Sequence, residues 1–269
     1  MCTVVIRVPA SADEPTRVLA IRDEDPERPW NPLGRWWPEP HDGVVGVRDV
    51  RAGGAWLAAD PAAGRLAVLL NRADESTRPE SELVSRGGIV LDAVAGRSPA
   101  GAPATHGFNL VEVDGARARV LTWDGVALRT VELEPGTHMI AHDDVDDAGT
   151  PRIARWLGEF QSAAPASEGR WWMPWVEVLE RSAELPPTDD GGCGSGDDLR
   201  GEAHGHELNS AVATKPPREA VGPNAAGGSE DRLHRGLPLD RDVEDVAHAQ
   251  AGLYSSARPP HWPGSRSSP

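Results

Sequence analysis

The sequence predicts an α+β protein built mainly from antiparallel β-strands, followed by a C-terminal tail of different character. Short apolar segments of strand length, separated by turns rich in Gly, Asp and Pro, recur over the first half of the chain. The few helical segments do not alternate regularly with these strands, which argues against a parallel βαβ sheet. From residue 188 onward Gly, Pro, Ser and Asp dominate and no period of 2 or 3.6 persists.

The strands are predicted from apolar runs that end at turn residues. The first five are residues 3–8, 17–24, 44–50, 55–59 and 65–72. HGFNLVEVDG and ARARVLTWDG are expected to form a hairpin whose turn is Asp114-Gly115, and ALRTVELEPGTHMIAH continues the strands. The segment PERPWNPLGRWWPEP contains too many prolines for a regular element, so we expect none there.

Three segments favour helix. Residues 81–95 predict a helix that is broken or entered near Gly87-Gly88. TPRIARWLGEF predicts a second helix, with Thr150 as N-cap and Pro151 at the first helical position. WWMPWVEVLERSAEL is the third.

Composition excludes several classes of function. The 269 residues carry a formal net charge of -15, which disfavours a nucleic-acid partner because such proteins need Lys/Arg surfaces. No stretch reaches the roughly 18–20 apolar residues of a membrane span. Since the first residues lack a basic region and a long apolar run, we expect no secretory signal there. Cys2 and Cys193 are too few for a disulfide framework. We expect a cytoplasmic protein that takes a small-molecule ligand or substrate; the sequence does not indicate its oligomeric state.

The chain begins Met-Cys, a dipeptide with two interpretations. Removal of Met1 would give Cys2 a free α-amine, whose ordinary pKa of about 7.7–8.0 lets it act as the base for its own thiol. In the alternative, Cys2 is a small buried residue that opens a strand.

The motifs MCTVVIRV, RVLAIRDE, RLAVLLNR, SRGGIVLDAV and FNLVEVDG follow one another in an order that resembles the NRDE family, the family of transport and Golgi organisation protein two. The stretch that names this family is here Ile21-Arg22-Asp23-Glu24, so its first position departs from the pattern. The resemblance extends over about residues 1–187. It implies an N-terminal nucleophile hydrolase-like αββα sandwich of antiparallel sheets.

The resemblance also implies roles for individual residues. Cys2 would be the nucleophile, Arg22 would favour its thiolate, and Asp23 would orient the α-amine. Asn71 would stabilise a tetrahedral oxyanion, and Asn109 would contact a substrate carbonyl. The structural alternatives are a charged strand end at residues 22–24, a turn at Asn71 and a hairpin contact at Asn109.

Several tryptophans and histidines could contact a ligand, and each also has a structural interpretation. Trp30 and Trp56 could line a site for a flat or apolar ligand, although core packing is the more common role of tryptophan. His138 and His142 have helical metal-ligand spacing, but they lie at a strand end, so no metal site is expected. His106 is a conceivable haem ligand that nothing in the sequence favours over other histidines.

Two functions are therefore expected as alternatives. The first is a cysteine N-terminal nucleophile hydrolase or acyltransferase, acting on an amide or thioester and needing no cofactor. The second is a non-catalytic haem or acyl-lipid carrier that uses the same cavity.

The domain organisation follows the change in composition. Residues 1–187 are expected to form the NRDE domain, and residues 188–269 a disordered or frame-shifted tail. The resemblance implies an apolar strand pair after LPPTDD, whereas the sequence continues GGCGSGDD. A frame shift near residues 190–192 or true divergence would explain this.

Overall fold

The structure, a computed structural model, describes residues 2–22, 28–163, 170–183 and 208–214. Within these residues the chain forms strands that pair into two antiparallel sheets, with helices beside them. The strands are β1 (Thr3–Val8), β2 (Thr16–Arg22), β3 (Trp30–Gly34), β4 (Val45–Asp49), β5 (Ala55–Asp60), β6 (Arg65–Asn71), β7 (Phe108–Asp114), β8 (Arg117–Trp123), β9 (Leu128–Glu132), β10 (Gly136–Ile140) and β11 (Leu208–Thr214). The helices are α1 (Gly87–Val94), α2 (Pro151–Ser162) and α3 (Met173–Ala183), with a short 3₁₀ helix at Glu80–Glu82.

The two sheets have different connectivity. The larger sheet follows chain order from β3 to β9, so each strand pairs with its neighbours in sequence. The smaller sheet has the order β10-β1-β2-β11, so β1 joins its neighbour β2 to a strand from far along the chain. Here Val4 pairs with Ile140 on one side and with Ala20 on the other.

Three apolar clusters show how these elements are layered. One lies between the sheets and includes Ile6 and Val18 from the smaller sheet and Leu57 and Val111 from the larger. A second packs α1 on the outer face of the larger sheet, and a third packs α2 and α3 on the outer face of the smaller sheet. The order is helix, sheet, sheet, helix, which confirms the predicted αββα sandwich. Strands such as β2 and β6 are covered on both faces, and this explains their nearly continuous apolar sequences.

The Pro- and Trp-rich segment corrects one prediction. Part of it forms β3, which pairs with β4 at the edge of the larger sheet. An edge strand needs backbone donors on one side only, so it tolerates Pro32 where a central strand would not. The register shifts between Asn31 and Gly34, which places the irregularity around that proline.

The predicted tail also differs from expectation at one place. Leu208–Thr214 forms β11, which pairs antiparallel with β2 over seven residue pairs. This segment supplies one edge strand of the smaller sheet, although its composition predicts no regular element. The division at residue 187 remains a prediction.

The second helix begins where it was predicted, but its N-cap works differently. Pro151 occupies the first turn after Thr150, whose side chain makes no capping hydrogen bond. Instead the Thr150 hydroxyl donates to Asp143 Oδ2 at 2.9 Å and ties the helix to the loop before it.

Candidate functional site

A cavity of about 170 Å³ opens where the ends of several elements meet. Its walls come from the start of β1, the end of β2, the adjoining ends of β4, β5 and β6, and the N-terminus of α1. The side chains that carry chemistry in this wall are Cys2, Arg22, Arg28, Asp49, Trp56, Asn71, Ser85 and Arg86.

The pairing of β1 with β2 explains why Cys2 and Arg22 meet. Thr3 lies opposite Ile21, so the next position outward on each strand places Cys2 beside Arg22. Facing residues on antiparallel strands have Cβ atoms about 4.5–5.5 Å apart. Cys2 is a half-buried thiol. The register of one hairpin thus brings together two residues that are far apart in sequence.

Asp49 contacts two arginine side chains in the wall of the cavity. Its Oδ2 accepts from Arg28 Nε at 2.9 Å and lies 4.0 Å from Arg22 Nη2. Its Oδ1 accepts the backbone N–H groups of Arg51 and Ala52 at 2.9 and 3.1 Å. Burial raises the pKa of Asp49, but the Ala52 N–H and Arg28 outweigh it, so the net pKa is lowered. Asp49 is therefore ionised and holds two of the cavity's guanidinium groups.

Trp56 is also part of the cavity wall. The Arg22 guanidinium carbon lies 5.4 Å from the centroid of the Trp56 ring, a cation–π contact that orients Arg22. Only 7% of Trp56 is exposed. Trp30, the other predicted ligand contact, packs against the inter-sheet core and is not part of this cavity wall.

The two predicted asparagines have different surroundings. Asn71 ends β6, is exposed and lines the cavity. Asn109 is fully buried in β7. Its Nδ2 donates to the carbonyls of Ala141 and Asp143 at 3.0 and 2.7 Å, and its Oδ1 accepts from Thr122 at 3.0 Å. Asn109 thus fixes the loop after β10; its contact with substrate stays a prediction.

Arg86 is a cavity residue that the sequence analysis missed. It immediately precedes α1, and its Nη1 donates to the Gly107 carbonyl at 2.6 Å. Burial lowers the pKa of Arg86, while the negative charges of Asp74 and of the Cys2 thiolate oppose that shift. The only signal for it is its place in SRGGIVLDAV, directly before a Gly-Gly helix start.

The segment that carries Arg86 is held by a histidine. His106 Nδ1 lies 2.8 Å from Asp74 Oδ2, and Nε2 lies 3.1 Å from Glu80 Oε1. These two carboxylates, Asp74 first, raise the pKa of His106. Since both ring nitrogens face carboxylates, the imidazole bridges two points of the segment between β6 and α1.

Asp23 is outside the described residues. The histidine candidates of β10 and of the loop after it are not part of this cavity wall. His138 contacts Asp146 at 2.7 Å and His142 contacts Asp143 at 3.1 Å. Over the part of the chain that the structure describes, no group of three or more His, Cys, Asp or Glu side chains could hold a metal ion.

Comparison with protein families matches residues 1–170 to the family described as Transport and Golgi organisation 2. The chain belongs to this family. It is the NRDE family that the sequence motifs resemble. The match includes every described residue of the cavity wall. A search of curated proteins finds no match.

Two solved structures are similar to this member of the Transport and Golgi organisation 2 family. The first is a Caenorhabditis elegans N-acylethanolamine-hydrolyzing acid amidase ortholog, with 10% identity, a TM-score of 0.46, and coverage of 82% of this chain and 94% of that chain. The second is penicillin V acylase from Agrobacterium tumefaciens, with 12% identity, a TM-score of 0.33, and coverage of 70% of this chain and 62% of that one.

None of the helices in the described residues is long and apolar enough to cross a membrane.

Proposed function

We propose that this protein is a cysteine N-terminal nucleophile hydrolase or acyltransferase that acts on an amide or thioester. The observation that carries the proposal is the convergence of Cys2, Arg22 and Asn71 on one cavity. Cys2 directly precedes β1, and Arg22 and Asn71 end β2 and β6, so the three residues come from two sheets. A thiol, a cation and an amide donor are the groups that acyl transfer needs.

The first half of the proposed reaction forms an acyl-enzyme. After removal of Met1, the neutral α-amine of Cys2 takes the thiol proton, directly or through a water molecule. The thiolate sulfur attacks the substrate carbonyl carbon, and a C–S bond forms while the carbonyl π electrons move to oxygen. The Asn71 amide donates to this oxyanion, an interaction worth about 3 kcal/mol in comparable sites.

The second half releases the products. The tetrahedral intermediate collapses, and the leaving amine or thiolate takes the proton from the α-ammonium group. Water then attacks the thioester in a hydrolase, or an acceptor amine, alcohol or thiol attacks it in a transferase. The free thiol is restored in either case. Arg22, oriented by Trp56 and Asp49, stabilises the negative charge on Cys2 sulfur.

The first test is mass spectrometry of the protein expressed with its natural start. We expect Met1 to be absent and Cys2 to react with iodoacetamide faster than Cys193, with an apparent pKa below the ordinary thiol value of about 8.5. Cys2→Ser serves as the control for assignment. Retention of Met1, or a Cys2 that does not react, would rule out the acyl-enzyme mechanism.

A haem or acyl-lipid carrier remains the alternative. The cavity volume of about 170 Å³ lies below the roughly 300 Å³ at which drug-sized ligands become enclosed, which favours a short acyl segment over a macrocycle. Titration with haem separates the two functions. A carrier should give a Soret band in both the native chain and Asn71→Ala, whereas a hydrolase should form the acyl-enzyme about 10²–10³-fold more slowly in that variant.

A further inference from the structure

Arg86 differs from the other two arginines of the cavity in what surrounds it. Arg22 and Arg28 both approach Asp49. Among the described residues, no carboxylate lies within 4.0 Å of Arg86, and its one hydrogen bond goes to the uncharged carbonyl of Gly107. A half-buried guanidinium with a single neutral acceptor retains donors and charge for a partner of opposite sign.

The position of Arg86 directs this charge into the cavity. Arg86 lines the same wall as Cys2, and its Nη1 bond to Gly107 fixes the plane of the guanidinium. It sits at the start of α1, whose aligned peptides add partial positive charge at that end. The carboxylate of Asp74 acts on it only from outside the cavity wall.

We propose that Arg86 binds an anionic oxygen group of the substrate, a carboxylate or a phosphate, close to the carbonyl that Cys2 attacks. The role of this anion site in catalysis rests on the proposed function, in which Cys2 is the nucleophile. The substrate class is then an amide or thioester that carries an oxyanion near its reactive carbonyl. Planar, multiply donating guanidinium groups suit such oxyanions better than a point charge does.

The test compares two alkylating agents that differ in charge. In both cases the Cys2 thiolate forms an S–C bond and iodide leaves, but iodoacetate carries a carboxylate and iodoacetamide does not. The peptide of residues 2–10, which has the same N-terminal cysteine without the cavity, gives the reference ratio of the two rates. We expect the ratio of iodoacetate to iodoacetamide in the protein to exceed the peptide's by about fivefold or more, as for hydrogen bonds to charged groups.

Variants assign that preference to one side chain. Arg86→Met should bring the ratio down to the peptide's, and Arg86→Lys should retain part of the preference. Arg78→Met, which removes an exposed arginine from the same segment, should leave the ratio unchanged. A native ratio no higher than the peptide's, or an Arg86→Met ratio equal to the native one, would overturn the proposal.

A second measurement does not depend on Cys2 reactivity. Inorganic phosphate should raise the melting temperature of the native chain and of Cys2→Ser, because a ligand that binds only the folded state stabilises it. It should not do so for Arg86→Met. If Cys2 proves inert while this difference holds, the hydrolase proposal fails and the anion site stands. If phosphate acts equally on all three proteins, the anion site is wrong whatever Cys2 does.

Discussion

Asn71 and Asn109 lie on adjacent strands, but Asn71 is exposed and Asn109 is fully buried. Asn71 leaves its amide exposed at the cavity, whereas the amide of Asn109 is fully used by Ala141, Asp143 and Thr122. In sequence both are simply an asparagine beside an apolar strand. Which one is available for chemistry depends on the depth of its strand position and on the loop after β10.

The two asparagines should therefore separate stability from activity. Asn109→Ala leaves two carbonyls and the Thr122 hydroxyl without a buried partner, so we expect the free energy of unfolding to fall by about 2–3 kcal/mol. Asn71→Ala should change it by less than about 0.5 kcal/mol while slowing acyl-enzyme formation by about 10²–10³-fold. Urea denaturation of both variants measures this. Equal loss of stability in the two would contradict the assignment.

His106 gives the segment before α1 a dependence on pH. Asp74 and Glu80 raise the folded-state pKa of His106 above its ordinary value, so the protonated imidazole stabilises the fold. This contribution is fully present below the unfolded pKa of about 6.5 and is lost as the pH rises through the folded pKa. Since 41% of the side chain is exposed, solvent screens the effect and it should be small.

The variant His106→Gln isolates this contribution. His138 has a pKa raised by Asp146 in the same direction, so the native chain alone cannot assign the slope. The difference in melting temperature between the native chain and His106→Gln should shrink as the pH increases from about 5.5 to 8.5. A difference that is constant with pH would show that His106 does not titrate in the folded state as its contacts require.

At the scale of elements, the N-terminus of α1 is placed by two glycines. Gly54, in the turn between β4 and β5, packs directly on Gly87, and a Cβ at Gly54 would collide with the Gly87 carbonyl carbon and lie 2.5 Å from its Cα. Because the atoms that this Cβ would meet belong to the backbone of Gly87, they cannot move aside as the end of a flexible side chain could. The closeness of this turn to α1 sets where Arg86 enters the cavity.

Gly54→Ala should therefore act on both stability and the site. We expect a loss of about 1–3 kcal/mol in unfolding free energy, as for other overpacked positions, and slower alkylation of Cys2. Gly88→Ala is the matched control, because a Cβ there meets nothing within 4 Å. It should be neutral or stabilising by up to about 1 kcal/mol, as alanine favours helix. If both alanines slow alkylation equally, contact between Gly54 and Gly87 does not position the site.

The elements also show what sequence could predict. Most strands of the two sheets and the three helices follow from apolar patterning, since the central strands are buried on two faces. β3 was missed because its proline content suits only an edge strand, and edge position is a property of the sheet. Arg86 was missed for a similar reason. Its function depends on which turn packs beside the start of α1, and no local pattern reports that.

At the scale of the whole molecule, β11 extends the smaller sheet with a segment that is distant in sequence from the other strands of that sheet. Without it, the backbone donors and acceptors along one side of β2 would be exposed as a sheet edge. A chain ending at residue 187 should melt at a lower temperature and self-associate more than one ending at residue 217, which retains Leu208–Thr214. Thermal unfolding and sedimentation measure both. Identical behaviour would mean that β11 contributes nothing to the fold.

The pairing of β1 with β10 has a consequence for how the protein acquires its site. The larger sheet is a meander whose contacts are local, and such contacts form early because short loops cost little entropy to close. The smaller sheet must join Arg7 to Thr137, 130 residues apart. The smaller sheet should therefore form late in refolding. Because Cys2 precedes β1, it should be the last residue of the cavity wall to reach its native position. Pulsed alkylation during refolding would then find a chain that is already compact but whose thiol still reacts as an unstructured peptide does.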